Sequence, residues 1–340
     1  MKIVIVTPAP PRSRYGNRVT ALRWARILRS AGHLVSIDQR YSDEPTDLLI
    51  ALHARRSFDS ISRARRAHPK LPIIVALTGT DLYRDLPRSS RAKESLELAT
   101  RIVTLQPKAL EELPWHLRKK ARVIYQSVAA APGARKHKAN GVASGSIPGS
   151  VDSRARRLSP AQAGAFDVCV IGHLRPVKDP FRTALAARKL PASSRIRVIH
   201  VGGAMSEEAA ARAREEMAKN PRYRWLGEQP GWRVREVFRR SRLFVLTSRL
   251  EGGANALGEA IVAGVPVLSS RIPGSIGILG ERYPGYFGVG DTAELARLMS
   301  RAETDPTFLS GLETHCRRLA SLFEQSKEQA AWVSLLGELF

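Results

Sequence analysis

Residues 242–270, RLFVLTSRLEGGANALGEAIVAGVPVLSS, decide how this chain is read. LFVL is a short, continuous apolar run, the kind that fills a parallel sheet covered on both faces. Glu251 follows it in a loop, and Gly252 and Gly253, lacking side chains, let the backbone approach a ligand closely. After Ala254 a helix is expected to begin at Asn255 and Ala256, and its free N–H groups favour an anion. Glu259 lies about one turn inside that helix and can point towards the same ligand. A carboxylate cannot bind phosphate, but it accepts hydrogen bonds from sugar or ribose hydroxyls beside it. Amides for phosphate and carboxylates for hydroxyls give both glutamates a role. GVPVLSS closes the unit as the next strand.

The same alternation runs outward in both directions. KIVIVTP, LVSIDQ, DLLIALHA, PIIVALTGTD, RIVTLQ and RVIYQSV read as strands, with helical stretches between them, one expected from about Thr20 to Ala31. From 129 to 165 the pattern stops in a stretch rich in Ala, Gly, Ser and Pro, which reads as a linker or flexible insertion. It then restarts with FDVCVIGHL, IRVIHVGG and YRWLGEQ. The expected class is α/β, with two doubly wound Rossmann-like domains. Residues 1–128 form the first, 166–304 the second, and helices over 305–340 pack back towards the first. Ligands of such sheets bind beyond the carboxyl ends of the strands, which places the site in the cleft between the domains.

Composition bounds the remaining possibilities. At 340 residues and 43% apolar content, a soluble two-domain protein is expected. No apolar run reaches the ~18 residues of a membrane span, so no stable membrane association is expected. Two cysteines, Cys169 and Cys316, suit a reducing cytoplasm better than a disulfide framework. The net charge of +24 invites a nucleic-acid partner. Yet the arginines are spread along the whole chain and aromatics are only 6%, without the stacking platforms of single-strand binders, so none is expected. No metal-ligand spacing, nucleophilic triad or Walker loop is present, and neither a metal nor a cofactor is expected.

The Glu-x7-Glu spacing with Gly-Gly before the helix and GVPVLSS after it resembles the retaining nucleotide-sugar glycosyltransferases of family 4, which have the GT-B fold. VIGHLRPVKDP is similar to that family's Gly-x-Leu-x-Pro-x-Lys segment. The resemblance implies that Arg175 and Lys178, after Gly172, neutralise the donor diphosphate, with Glu251 beside the sugar. Where the family usually has Gly after the Lys, this chain has Asp179. In the amino half, Gly16 and Asn17 stand in place of the family's glycine-rich loop. LTGTD is similar to its His-Gly-Thr-Asp segment, with Thr78 in place of the His. Asp81 fits either a substrate contact or a helix N-cap. His53 follows a strand at the cleft mouth, where a lone His is more often structural.

TPAPPRSRYGNRVTALRWARIL, LIALHARRS, ALTGTDLYRDL and VIYQSV further resemble the selenosugar synthase branch of this family. That resemblance implies a UDP-sugar donor, UDP-N-acetylglucosamine, and attack by selenophosphate on its anomeric carbon. Arg12, Arg14 and Arg18 around Gly16, with Arg55 and Arg56 after His53, either serve such an anionic acceptor or continue the general surplus of arginine. A sugar, lipid or small-molecule hydroxyl acceptor remains the alternative.

Overall fold

The computed structural model describes residues 1–13, 15–128 and 164–340. Arg14 and nearly all of the 129–165 segment therefore lie outside the described residues. Twelve strands are described: β1 Lys2–Val6, β2 Leu34–Asp38, β3 Leu48–Leu52, β4 Ile73–Leu77, β5 Arg101–Thr104, β6 Ala121–Val123, β7 Phe166–Ile171, β8 Ile196–Val201, β9 Tyr223–Trp225, β10 Leu243–Leu246, β11 Val267–Ser270 and β12 Tyr286–Phe287. They form two six-stranded parallel sheets, ordered β2-β1-β3-β4-β5-β6 and β12-β11-β10-β7-β8-β9. This is the two-domain GT-B frame.

The strands carry continuous apolar runs because helices cover both sides of each sheet. LLIAL of β3 and IIVAL of β4 are buried at every position. Helix Pro306–Leu319 places Phe308, Leu312 and Cys316 in the core of the second domain. Helix Gln325–Gly337 instead crosses to the first, where Trp332 meets Trp24 edge-to-face with ring centroids 4.9 Å apart. Cys169 and Cys316 are buried free thiols, pushed by burial up to about 12 and about 11. Among the described residues no helix is long and apolar enough to cross a membrane.

Two elements differ from the sequence expectation. The first helix spans Gly16–Ser30 rather than starting near Thr20, and it begins after Tyr15 without any side-chain cap. A start with no Ser, Thr, Asp or Asn cap leaves no local signal. The RVIYQSV run is strand only to Val123; beyond it, the chain leaves the first sheet, and Val128 N donates to Phe323 O at 3.0 Å.

Candidate active site

Each sheet has one place where the chain order reverses, between β1 and β3 in the first and between β7 and β10 in the second. Beyond the carboxyl ends of β7 and β10 lie the Gly172–Lys178 loop and the Thr247–Glu251 loop, side by side in space. Thr247 Oγ1 donates to Lys178 O at 2.8 Å and to Asp179 O at 3.0 Å, and Arg249 N donates to Val177 O at 2.8 Å. Asp179 sits at φ 43°, ψ 57°, the left-handed conformation for which a glycine is favoured. The turn is therefore kept without the glycine. Asp179 uses its carboxylate to hold Arg182 Nε at 2.9 Å.

A cation of the first loop and a carboxylate of the second touch. Lys178 Nζ donates to Glu251 Oε1, which also accepts from Ser248 Oγ at 2.6 Å. Among the described residues the second oxygen of Glu251 has no hydrogen-bond partner. The Arg175 side chain is exposed and makes no polar contact among them either. Helix Asn255–Val262 carries Glu259, whose carboxylate has no hydrogen bond among the described residues. Burial pushes that carboxyl above the ordinary carboxylate range, while Arg23 and Arg235 pull it back. Ala254, before the helix, is held at φ 31°, a conformation that costs a non-glycine residue about 1–2 kcal/mol.

The glycines serve a different close approach from the one expected. A Cβ on Gly252 would lie 2.4 Å from the Thr78 carbonyl, and one on Gly253 would lie 2.6 Å from Leu105 Cβ. Gly274 and Gly277 likewise admit Glu251 O and the Gln106 side chain, at 2.1 and 1.7 Å from a notional Cβ. Thus Gly252, Gly253 and Gly277 bring the two domains into contact, backbone against backbone at Thr78–Gly79, and Gly274 seats the Glu251 loop.

The first domain's cleft residues are engaged among themselves. Asp81 is fully buried; its carboxylate accepts from Thr78 N at 2.9 Å, Gly79 N at 2.8 Å and Ala54 N at 3.3 Å. It is neither an N-cap nor an open ligand group, but the residue that shapes the Thr78–Gly79 loop. His53, at φ 76° and 3% exposed, has Nδ1 against Arg56 N at 3.3 Å and Nε2 at 3.6 Å from Asp85. Burial lowers its imidazole below the ordinary value, against the pull of Asp81 and Asp85. Arg55 pairs with Asp85 at 2.9 Å. Gly16 and Asn17 belong to the first helical turn rather than to a loop. Arg18 buries its Nε without a partner among the described residues.

Two contributors carry no local sequence signal. His200, near the carboxyl end of β8, is 1% exposed and bridges Gly172 O at 3.0 Å and Tyr223 Oη at 2.9 Å, so it supports the start of the Gly172–Lys178 loop. Arg23 reaches from the first domain to Asn255.

Comparison with known proteins gives this geometry its class. Residues 153–320 match the family described as Glycosyl transferases group 1. Over that stretch the chain is similar to the group 1 glycosyltransferases. Its fold is similar to that of HepE from Anabaena, solved with UDP and glucose (15% identity, 99% of this chain and 100% of that one, TM-score 0.72). It is also similar to sucrose-phosphate synthase from Thermosynechococcus elongatus (16% identity, 100% and 99%, TM-score 0.76). A third likeness is to S. aureus TarM, solved with α-GlcNAc-glycerol and UDP (12% identity, 85% and 55%, TM-score 0.59). No curated protein matches the sequence.

Proposed function

We propose that this glycosyltransferase takes its sugar from a UDP-sugar bound at the β7–β10 switch point of the second domain. One observation carries the reading: a half-buried carboxylate without a hydrogen-bond partner among the described residues, Glu259, stands in the first turns of the helix that follows the Glu251 loop. The diphosphate lies against Arg175, Lys178 and the free N–H groups at Asn255. Glu259 accepts from the ribose hydroxyls, and the free oxygen of Glu251 accepts from the sugar. The bound UDP-sugars and UDP of HepE and TarM support this choice of nucleotide.

The residues then act as follows. When the bond from the anomeric carbon to the diphosphate breaks, its electron pair goes to the phosphate oxygen. Lys178, held by Glu251 in the resting site, turns its ammonium to that oxygen, and Arg175 adds a second, planar cation. The close contact of Thr78–Gly79 with Gly252 keeps water from the anomeric carbon.

Similarity to the group 1 glycosyltransferases favours a hydroxyl of a sugar, lipid or small molecule as acceptor. A second reading, selenophosphate attacking UDP-N-acetylglucosamine, draws on the sequence resemblance and on one structural observation. The carboxylates of the first domain's cleft, Asp81 and Asp85, are both engaged, while Arg18 Nε lacks a partner among the described residues. Such a site suits an acceptor that is already an anion. In that case selenium bonds to the anomeric carbon as UDP leaves, and water then cleaves the P–Se bond to release phosphate and the selenosugar. Mass spectrometry of products from a panel of UDP-sugars, each with selenophosphate or with hydroxyl acceptors, separates the two. A selenosugar supports the second reading, and an O-glycoside eliminates it. UDP-sugars that are neither bound nor consumed would overturn the donor assignment.

A further inference from the structure

Both chain crossings between the domains meet at one buried carboxylate. Glu328, in helix Gln325–Gly337, is 2% exposed. It accepts from Trp24 Nε1 at 2.8 Å, from Ser127 N at 2.7 Å and from the Ser127 hydroxyl. Trp24 belongs to the first-domain helix, Ser127 to the segment leaving that domain, and Glu328 to the helix that returns. Next to Trp24 stands Arg23. Both of its terminal nitrogens donate to Asn255 Oδ1, at 3.1 and 3.2 Å, on the first residue of the helix that carries Glu259. Burial lowers the Arg23 guanidinium from its ordinary value, and the charges of Glu328 and Glu259 raise it. It stays charged, as a guanidinium does in proteins. One cation thus lies between a carboxylate at the interdomain crossing and a carboxylate at the donor site, bonded to an amide beside the latter.

We propose that Arg23 is a positioning residue that couples domain closure to assembly of the donor site, by fixing Asn255 and Glu259 only when the first domain is docked. The proposal rests on the donor-site reading above. Glu328 holds the Trp24 segment against both crossings, so Arg23 has a fixed origin in the first domain. Its target moves with the second. When the domains part, Asn255 loses its partner, and Glu259 faces Arg235 alone. Binding of the nucleotide and closure therefore favour each other, because each orders groups the other uses.

The test measures UDP affinity by calorimetry and UDP-induced compaction by small-angle X-ray scattering. It compares wild type, Arg23→Met, Glu259→Gln and the double variant, with thermal melting to confirm folding. Arg23→Met is expected to weaken UDP by about tenfold and to abolish compaction. It is expected to add no further loss to Glu259→Gln, because the coupling runs through Glu259. Arg23→Lys, which keeps the charge but not the two-pronged bond, is expected to fall between, and it decides the matter should the Met variant not fold. Unchanged UDP affinity and compaction in the folded Arg23 variants would overturn the proposal, as would a loss fully additive with that of Glu259→Gln. Wild-type UDP binding in Glu259→Gln would instead overturn the donor reading, and the proposal with it.

Discussion

The edges of the two domains that face the cleft are both polar, but they use their polar groups in opposite ways. On the second domain, Glu259 has no hydrogen bond and Glu251 keeps one oxygen open among the described residues, while Arg175 extends into solvent. On the first, Asp81 is filled by three main-chain N–H groups, and Asp85 takes Arg55 and faces His53. A carboxylate oxygen left without a protein partner is open to a ligand, whereas one filled by main-chain N–H groups is held as scaffold. The proposed donor end is thereby marked by its open side chains. The acceptor end is defined by loop shape.

This contrast predicts unequal effects of substitution. The largest is expected at the phosphate-side cations: Arg175→Ala or Lys178→Ala should lower turnover by roughly 10²–10³, with UDP affinity changed far less, because leaving-group charge grows in the transition state. Steady-state kinetics beside calorimetry checks it, and near-normal turnover in the double variant would remove the clamp. Next comes the support beneath that loop. Burial lowers His200 from 6.5 to about 4, so its contribution to stability is present above pH 6.5 and is lost as pH falls towards 4. The loss is on the order of 3 kcal/mol. His200→Gln should flatten that acid limb in chemical denaturation from pH 7 to 4; an unchanged slope would exclude His200 as its source. A smaller effect is expected across the cleft. Asp81→Asn should cost about 1.5–3 kcal/mol of stability through lost charged hydrogen bonds, with UDP affinity unmoved.

The strand–loop–helix unit proposed as the donor end was readable in the sequence because its signals are local. Glu251, Gly252, Gly253, Asn255 and Glu259 stand within nine residues, between two apolar strands. Even there, sequence could not tell a glycine that admits a ligand from one that admits another backbone, and Gly252 proved to face Thr78. Asp179 shows the converse: a residue other than glycine adopts the left-handed turn, held by Thr247 and Arg249 from the next loop. Gly16 and Asn17 looked like a loop because the helix they start has no capping side chain. Arg23 and Asn255 are 232 positions apart, and His200 reads as one more strand residue. Such contacts arise only when the two sheets and the returning helix are assembled.

The central claim is that the second domain alone supplies the carboxylate that grips the nucleotide. Calorimetric titration of UDP into Glu259→Gln and Asp81→Asn, side by side with wild type, tests it most directly. Glu259→Gln is expected to lose about 1.5–3 kcal/mol of binding, roughly a tenfold to hundredfold weakening, while Asp81→Asn binds as wild type does. Wild-type affinity in Glu259→Gln, or a larger loss in Asp81→Asn, would contradict the account.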